Sequence, residues 1–209
     1  MKKNMKLNWS RSNLFEMLIT IAGVCAILLT CNSVAYADIY ELVPTPADLY
    51  DLDHHKYYTW GIDTPWDING EVAVSATFSF ENIRNWRNEP NVLYIHLLDD
   101  ARLGVKQYRD NQQGGDNFAG EGVLLKVYRN LPATPQDLSF SFTPEQIVAL
   151  NAYALDGRFA MGFDPDCHFY NDGAKLIVET APVPEPSTIV LMLGIVGYWM
   201  FGRSKKRFV

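Results

Sequence analysis

Cysteine is scarce in this chain of 209 residues, and two of its three copies sit where they cannot serve a folded body. Cys25 and Cys31 fall in an apolar N-terminal leader, so removal of that leader leaves Cys167 alone. No internal disulfide can then form, even in a compartment that permits one. Basic residues are sparse in the middle of the chain. Between Asp38 and Pro186 ten Lys and Arg stand against 23 Asp and Glu, a balance near −13 that the whole-chain charge of −6 conceals. Such a surface disfavours nucleic acid, whose binding comes largely from neutralising phosphates with cations. It disfavours an anionic polymer too, unless a divalent cation bridges the two.

Catalytic signatures are missing as well. There is no G-x-S-x-G elbow, no His-containing metal motif and no Gly-rich phosphate loop between a strand and a helix. Carboxylate pairs such as Asp99-Asp100 are expected among so many acids. A glycosidase needs two carboxylates at a set separation across a cleft, which a sequence does not show. No enzymatic activity is expected. The chain lacks an internal repeat, and its length suits one ordinary domain plus targeting segments.

The two ends carry the targeting signals. Lys2, Lys3, Lys6 and Arg11 form a basic head, Met17 to Leu29 an apolar centre, and Ala35-Tyr36-Ala37 a small-residue site that predicts cleavage before Asp38 by the secretion machinery. Lipidation at Cys31 is the alternative, and Thr30 before it fits that poorly. At the other end Pro182, Pro184 and Pro186 fix φ and remove donors, which predicts an extended spacer. The apolar run Thr188 to Gly202 comes next. Its 15 residues make roughly 22 Å of helix, against a hydrocarbon core of about 30 Å. Arg203, Lys205, Lys206 and Arg207 can snorkel and hold the cytoplasmic end, with Tyr198 and Trp199 at the interface. A chain exported at its start and halted at its end keeps its middle outside the cytoplasm.

That middle reads as short strands between Gly, Pro, Asn and Asp. Val72, Val74, Ala76, Phe78 and Phe80 share one parity and predict one buried face. Val92 to Leu98 is apolar on both parities, as a central strand covered on both sides would be. Gly122 to Arg129, Leu138 to Phe142, Arg158 to Phe163 and Ala174 to Glu179 repeat the signature, and Tyr57 to Ile62 and Gly104 to Tyr108 show it more weakly. One helix interrupts the series: Thr143-Pro144-Glu145-Gln146 supplies an N-cap, a proline at the first helical position and a capping-box Gln, and Asp156-Gly157 ends it. The loop Asp110 to Gly122 is polar, glycine-rich and expected to be exposed. The fold class expected is mainly β, an antiparallel two-sheet sandwich of jelly-roll-like topology with one short helix, plus an N-terminal signal helix and a C-terminal transmembrane helix. The divisions are 1–37, 38–181 and 182–209.

The tail resembles a known signal. Pro184-Glu185-Pro186-Ser187, the short apolar segment with Gly194 and Gly197, and Arg203-Ser204-Lys205-Lys206-Arg207 are similar to the PEP-CTERM sorting signal. The resemblance implies recognition at Pro184, Glu185 and Pro186 by an exosortase, a membrane-embedded cysteine transpeptidase or protease. It implies that this chain is the substrate, carried through the periplasm to the surface or matrix of a Gram-negative bacterium that makes exopolysaccharide. Leu138 to Thr143, Leu150 to Tyr153 and Gly162 to Phe169 resemble a β-sandwich ectodomain recurrent in that family. That likeness implies a fold and an address, and no activity.

Three sets of residues invite a ligand. Asp164-Pro165-Asp166 with Asn171-Asp172-Gly173 is the densest oxygen-donor cluster, suited to Ca²⁺ or to a solvated turn. His54, His55, His96 and His168, with Cys167, are zinc ligand types, but no pair has the i, i+4 spacing or CxxC partner of a zinc motif. Trp60, Trp66 and Trp86, with Tyr57 and Tyr58, are either core or a platform on which sugar faces stack, Trp66 between Pro65 and Asp67 being the most loop-like. Two roles fit these residues, a structural or interaction protein of the surface and a carbohydrate-binding module for exopolysaccharide.

Overall fold

The computed structural model describes residues 37–112 and 114–183. The expected signal peptide up to residue 36, with Ala35, lies outside the described residues, as do Pro184, Glu185, Pro186, the apolar run after them and Arg203, Lys205, Lys206 and Arg207. Among the described residues no helix is long and apolar enough to cross a membrane.

Ten strands and one short helix make up the described part. The strands are β1 (Asp38–Leu42), β2 (Lys56–Asp63), β3 (Glu71–Asn85), β4 (Val92–Leu98), β5 (Gly104–Arg109), β6 (Val123–Arg129), β7 (Gln136–Ser141), β8 (Arg158–Pro165), β9 (Phe169–Tyr170) and β10 (Gly173–Pro182). The helix α1 (Pro144–Tyr153) runs into a 3₁₀ turn at Ala154–Asp156. One sheet has the order β1-β10-β3-β7, with β9 also on β3, and the other has the order β5-β2-β8-β4-β6. Every strand pair is antiparallel. The chain crosses between sheets repeatedly, so each sheet is built from strands distant in sequence.

The core lies between the sheets. Phe78 and Phe80 of β3 meet Phe163 of β8 at ring-centroid distances of 5.5 and 6.0 Å. On β4 the fully buried Leu93, Ile95 and Leu97 face the same layer, and β2 contributes Tyr58, Trp60 and Ile62. Burying rings of this size supplies most of the favourable free energy of such a sandwich.

The parity expected for β3 holds at Ala76, Phe78 and Phe80 and fails below them, where Val72 and Val74 are exposed and Ala73 is buried. The cause is a bulge. Glu179 pairs with Ser75 but Thr180 with Ala73, so one extra β3 residue turns the side chains beyond it to the opposite face. Asn151 of α1 occupies the free ladder position there, its Nδ2 donating to Ala73 O and its Oδ1 accepting from Ala73 N, both at 2.8 Å. A second irregularity, between Phe80 and Ile83, places Asn82 at φ 51° and buries Ile83.

The helix begins as its sequence dictates. Gln146 N donates to Thr143 Oγ1 at 3.3 Å and Thr143 N donates to Gln146 Oε1 at 2.9 Å, the reciprocal pair of a capping box. Gln146 Nε2 also donates to Leu124 O and Leu125 O, which ties the start of α1 to β6. Two strands escape a reading by pattern. β1 carries little buried surface and exists through its pairing with β10, and β9 is two residues long.

Candidate functional site

The outer face of the β5-β2-β8-β4-β6 sheet is where the unusual chemistry collects. Along β8, Phe159, Met161 and Phe163 point into the core, so Ala160, Gly162 and Asp164 point outward. Small residues at 160 and 162 leave a shallow floor. A Cβ on Gly162 would stand 2.9 Å from the Phe118 ring, so glycine there makes room for that ring. The glycine-rich loop is exposed at residues 111, 112, 114 and 119–122, as expected, but one residue anchors it here: Phe118 is 3% exposed and packs on Leu98 and Ala160, with Tyr57 edge-on at 5.4 Å. One apolar residue inside a polar loop is enough to fold the segment back on the sheet.

The loop brings polar groups down with it. Asp164 is wholly buried and accepts from Asn117 N at 2.6 Å and from Asn117 Nδ2 at 3.2 Å. Asn117 Nδ2 also donates to Asp110 Oδ1 at 2.8 Å. Gly115 N donates to Asp166 Oδ1 at 3.2 Å, and His96 Nε2 lies 2.9 Å from Asp116 Oδ2. Burial pushes the Asp164 carboxyl up to about 6, with the charges of Asp110 and Asp166 adding to it and the Asn117 bonds opposing. Asp166 is raised for the same reasons, burial first, with Gly115 N–H and Arg129 pulling the other way.

Beside this layer opens a cleft of about 830 Å³. Its walls are His54, His55 and Lys56 at the start of β2, Gln107, Tyr108 and Arg109 at the end of β5, and Asp110, Asn111, Gly114 and Asp166 from the loop and the end of β8. Antiparallel pairing places Lys56 opposite Arg109 and Tyr57 opposite Tyr108. The Tyr57 and Tyr108 rings stack at 5.1 Å, and Lys56 Nζ donates to Gln107 Oε1 at 2.7 Å. At the lip, His55 Nδ1 lies 3.2 Å and His54 Nδ1 3.6 Å from Asp53 Oδ1. Burial would raise the Asp53 carboxyl, but the bonds from His55 and the charges of both histidines outweigh it and hold the carboxyl below its ordinary value.

The residues singled out from sequence fare differently. Tyr58, Trp60 and Trp66 are buried, at 0, 5 and 5% exposure, so the expected sugar platform is core. Trp66 packs between Tyr40 and Phe159, and Tyr58 Oη accepts from Asp53 N at 2.8 Å while burial pushes its phenol up to about 12. Trp86 is exposed, yet the Arg87 guanidinium covers its ring at 4.2 Å and Glu89 accepts from its indole N–H at 2.6 Å.

The four donors expected to surround Ca²⁺ separate into two pairs. Asp164 and Asp166 turn to the loop at 114–117, whereas Asn171 Nδ2 donates to Asp48 O and Asp172 Oδ2 accepts from Asn82. Strand β8 ends between them and β9 carries the chain back to β3, so closeness in sequence does not become one coordination shell. Among the described residues, the three ligating groups that come within 4.8 Å of one another are Asp53, His54 and His55. His96, His168 and Cys167 do not join them. The parts of the site that pattern reading missed are Tyr108, Arg109, Asp110 and Asn117. For Asp110 and Asn117 the one signal is a density of Asp and Asn in the 110–117 loop beyond what a turn needs, and Tyr108 and Arg109, at the end of β5, carry none.

No protein-family model matches the chain, and no curated protein does. Among solved structures, a latent aurone synthase (polyphenol oxidase) from natural source is similar over 65% of this chain and 26% of its own, at 9% identity and a TM-score of 0.37. The Clostridium thermocellum N-terminal endo-1,4-beta-D-xylanase 10B, CBM22-1-GH10 modules complexed with xylohexaose, is similar over 70% of this chain and 29% of its own, at 7% identity and a TM-score of 0.26. This chain therefore spans well under a third of either structure's length, and likenesses at these scores carry no functional weight.

Proposed function

We propose that this chain is an exported surface protein whose sandwich holds a polar polymer, carbohydrate by class, in the cleft between His54–Lys56 and Gln107–Asn111. The observation that carries the reading is the composition of that cleft. Lys56, Arg109 and Asn111 offer donors, Asp110 and Asp166 offer acceptors, and Tyr108 offers a ring. Sugars present hydroxyls that both donate and accept beside apolar C–H faces, and such a mixed wall matches them better than an apolar pocket would. A volume of about 830 Å³ suits a few sugar units. The interleaved strand order β1-β10-β3-β7 over β2-β8-β4-β6 supports reading the sandwich as a jelly roll, with β5 as an added edge. The role proposed is binding without turnover.

Binding of the full chain to an array of polysaccharides tests this reading. A specific glycan should be retained, and Arg109→Ala and Tyr108→Ala should each weaken it by about 10-fold, the worth of one charged hydrogen bond or one stacked ring. Retention of no polysaccharide would overturn the proposal and leave a purely structural surface role.

Delivery to the surface is proposed from the tail. Its order of Pro-Glu-Pro, short apolar segment and basic cluster supports processing by an exosortase. In a host that carries the enzyme, Pro184→Ala with Glu185→Ala should leave a slightly heavier, membrane-retained band. Unchanged processing and surface delivery in that variant would sink the sorting proposal while leaving the cleft untouched.

A further inference from the structure

The lip of the cleft holds a group of side chains that glycan recognition does not require. Asp53, His54 and His55 are consecutive, and in an extended strand consecutive side chains would point to opposite faces. Here they precede β2 in a tight turn, closed by Lys56 N donating to Asp53 O at 2.9 Å and His55 N donating to Asp53 Oδ1 at 3.0 Å. The turn puts both imidazoles on one side, ring centroids 3.9 Å apart. On the far side Asp110 N donates to His55 O at 2.9 Å, which fixes the turn to the end of β5. The backbone is therefore held before any ligand arrives.

We infer that Asp53, His54 and His55 form a site for a divalent transition metal of the zinc class. Distances favour it first. A metal bound at about 2.0–2.1 Å by three corners of a tetrahedron needs ligand atoms about 3.3 Å apart. Asp53 Oδ1 stands 3.2 Å from His55 Nδ1 and 3.6 Å from His54 Nδ1, and the three ligating groups lie within 4.8 Å of one another, so rotations of the exposed rings suffice to bring them to three corners of the shell. Two imidazoles and one carboxylate are the donor set that imidazole-preferring metals take, and they are a poor set for Ca²⁺ or Mg²⁺, which want oxygen alone.

Three protein ligands leave the remaining positions open. His54 and His55 line the cleft, so those positions border the volume in which a polar ligand would sit. A cation there would add to the positive contacts that Lys56 and Arg109 already give the cleft in a body near −13 between Asp38 and Pro186. The metal site stands on the Asp53–His55 geometry and holds whether or not the cleft takes carbohydrate.

Calorimetric titration of the untagged, chelator-treated full chain with Zn²⁺, and separately with Ca²⁺, tests the site. The expected result is one Zn²⁺ bound at this site, with affinity lowered by about 100-fold or more in His54→Ala/His55→Ala, since two of three ligands are gone. Both histidines are exposed, so the variant should keep the wild-type melting temperature without metal. Cys25, Cys31 and Cys167 are present in both proteins, so the difference between the two titrations isolates the turn. Ca²⁺ should give no heat that the double substitution removes. Absence of Zn²⁺ binding, or Zn²⁺ binding that the double substitution leaves unchanged, would overturn the inference.

Discussion

Gly122→Ala is expected to destabilise the sandwich by about 3–5 kcal/mol, and Gly104→Ala by only about 1–2 kcal/mol. Both glycines have positive φ, 58° and 73°, so alanine at either meets the backbone strain of the left-handed region. They differ in what surrounds them. A Cβ on Gly104 meets nothing within 4 Å, whereas one on Gly122 would lie 2.1 Å from Leu97 O and 3.1 Å from Leu98 Cδ2. Leu97 is in the middle of its sheet, paired with both Met161 and Val123, so its carbonyl cannot retreat without disturbing two ladders. The strain must go into β6, whose first residue comes directly after Gly122, and into the loop that Phe118 pins on the sheet. Urea unfolding of the two variants beside the parent measures the difference. Equal losses would show that positive φ alone sets the cost, and that the close approach to Leu97 is relieved for little.

The second large effect is a dependence of stability on pH, with a sign opposite to the usual one for carboxylates. Asp164 has a reference value of 3.8 and is pushed up to about 6 in the folded chain, principally by burial. The folded state thus holds this proton more tightly than the unfolded state. Its contribution to stability is fully present below about 3.8 and is lost as pH rises through about 6. The rise from 3.8 to about 6 corresponds to about 3 kcal/mol in full, of which about 1.4 kcal/mol is recovered between pH 7.5 and pH 5. Asp166, also raised, acts in the same direction. Below that window the opposing groups take over, because Asp53 is held below its ordinary value and Glu89 is lowered to about 2 by Arg87, Cys167 and Trp86. The melting temperature should therefore rise by about 3–6 °C from pH 7.5 to pH 5 and fall in stronger acid. In Asp164→Asn that rise should largely vanish, whatever the variant's absolute stability. A melting temperature that is flat from pH 7.5 to 5 in the parent, or that rises equally in the variant, would show that Asp164 does not carry the effect.

Much of the fold is legible where local chemistry and global packing agree. Val92 to Leu98 reads as a central strand with both faces covered, and β4 spans those residues between β8 and β6. The Thr143–Gln146 cap needs only its own four residues, and it forms. Pattern fails where a single residue of register matters. Val72 and Val74 share the parity of Phe78, and the bulge opposite Glu179 and Thr180 turns them to solvent. It fails for the aromatics as well, since Trp66 in a loop-like stretch looks available until Tyr40 and Phe159 are seen to enclose it. Asp164, Asp166, Asn171 and Asp172 look like one cluster along the chain, and strand β9 draws the last two toward a different partner.

Composition and short-range pattern set a strongly acidic middle, a chain of short strands with one capped helix, and the order of charge and apolarity at each end. These properties depend on residues that act within one element or through their sum, so spacing is enough to read them. Where the chemistry gathers is instead a matter of long-range packing. Asp110, Asn117 and Asp164 meet because Phe118 finds a floor at Ala160 and Gly162 on a strand distant in sequence. The cleft exists because antiparallel pairing sets Lys56 opposite Arg109. Contacts of that kind are fixed by register and by packing between remote segments, and a one-residue bulge is enough to move them from one face of a sheet to the other.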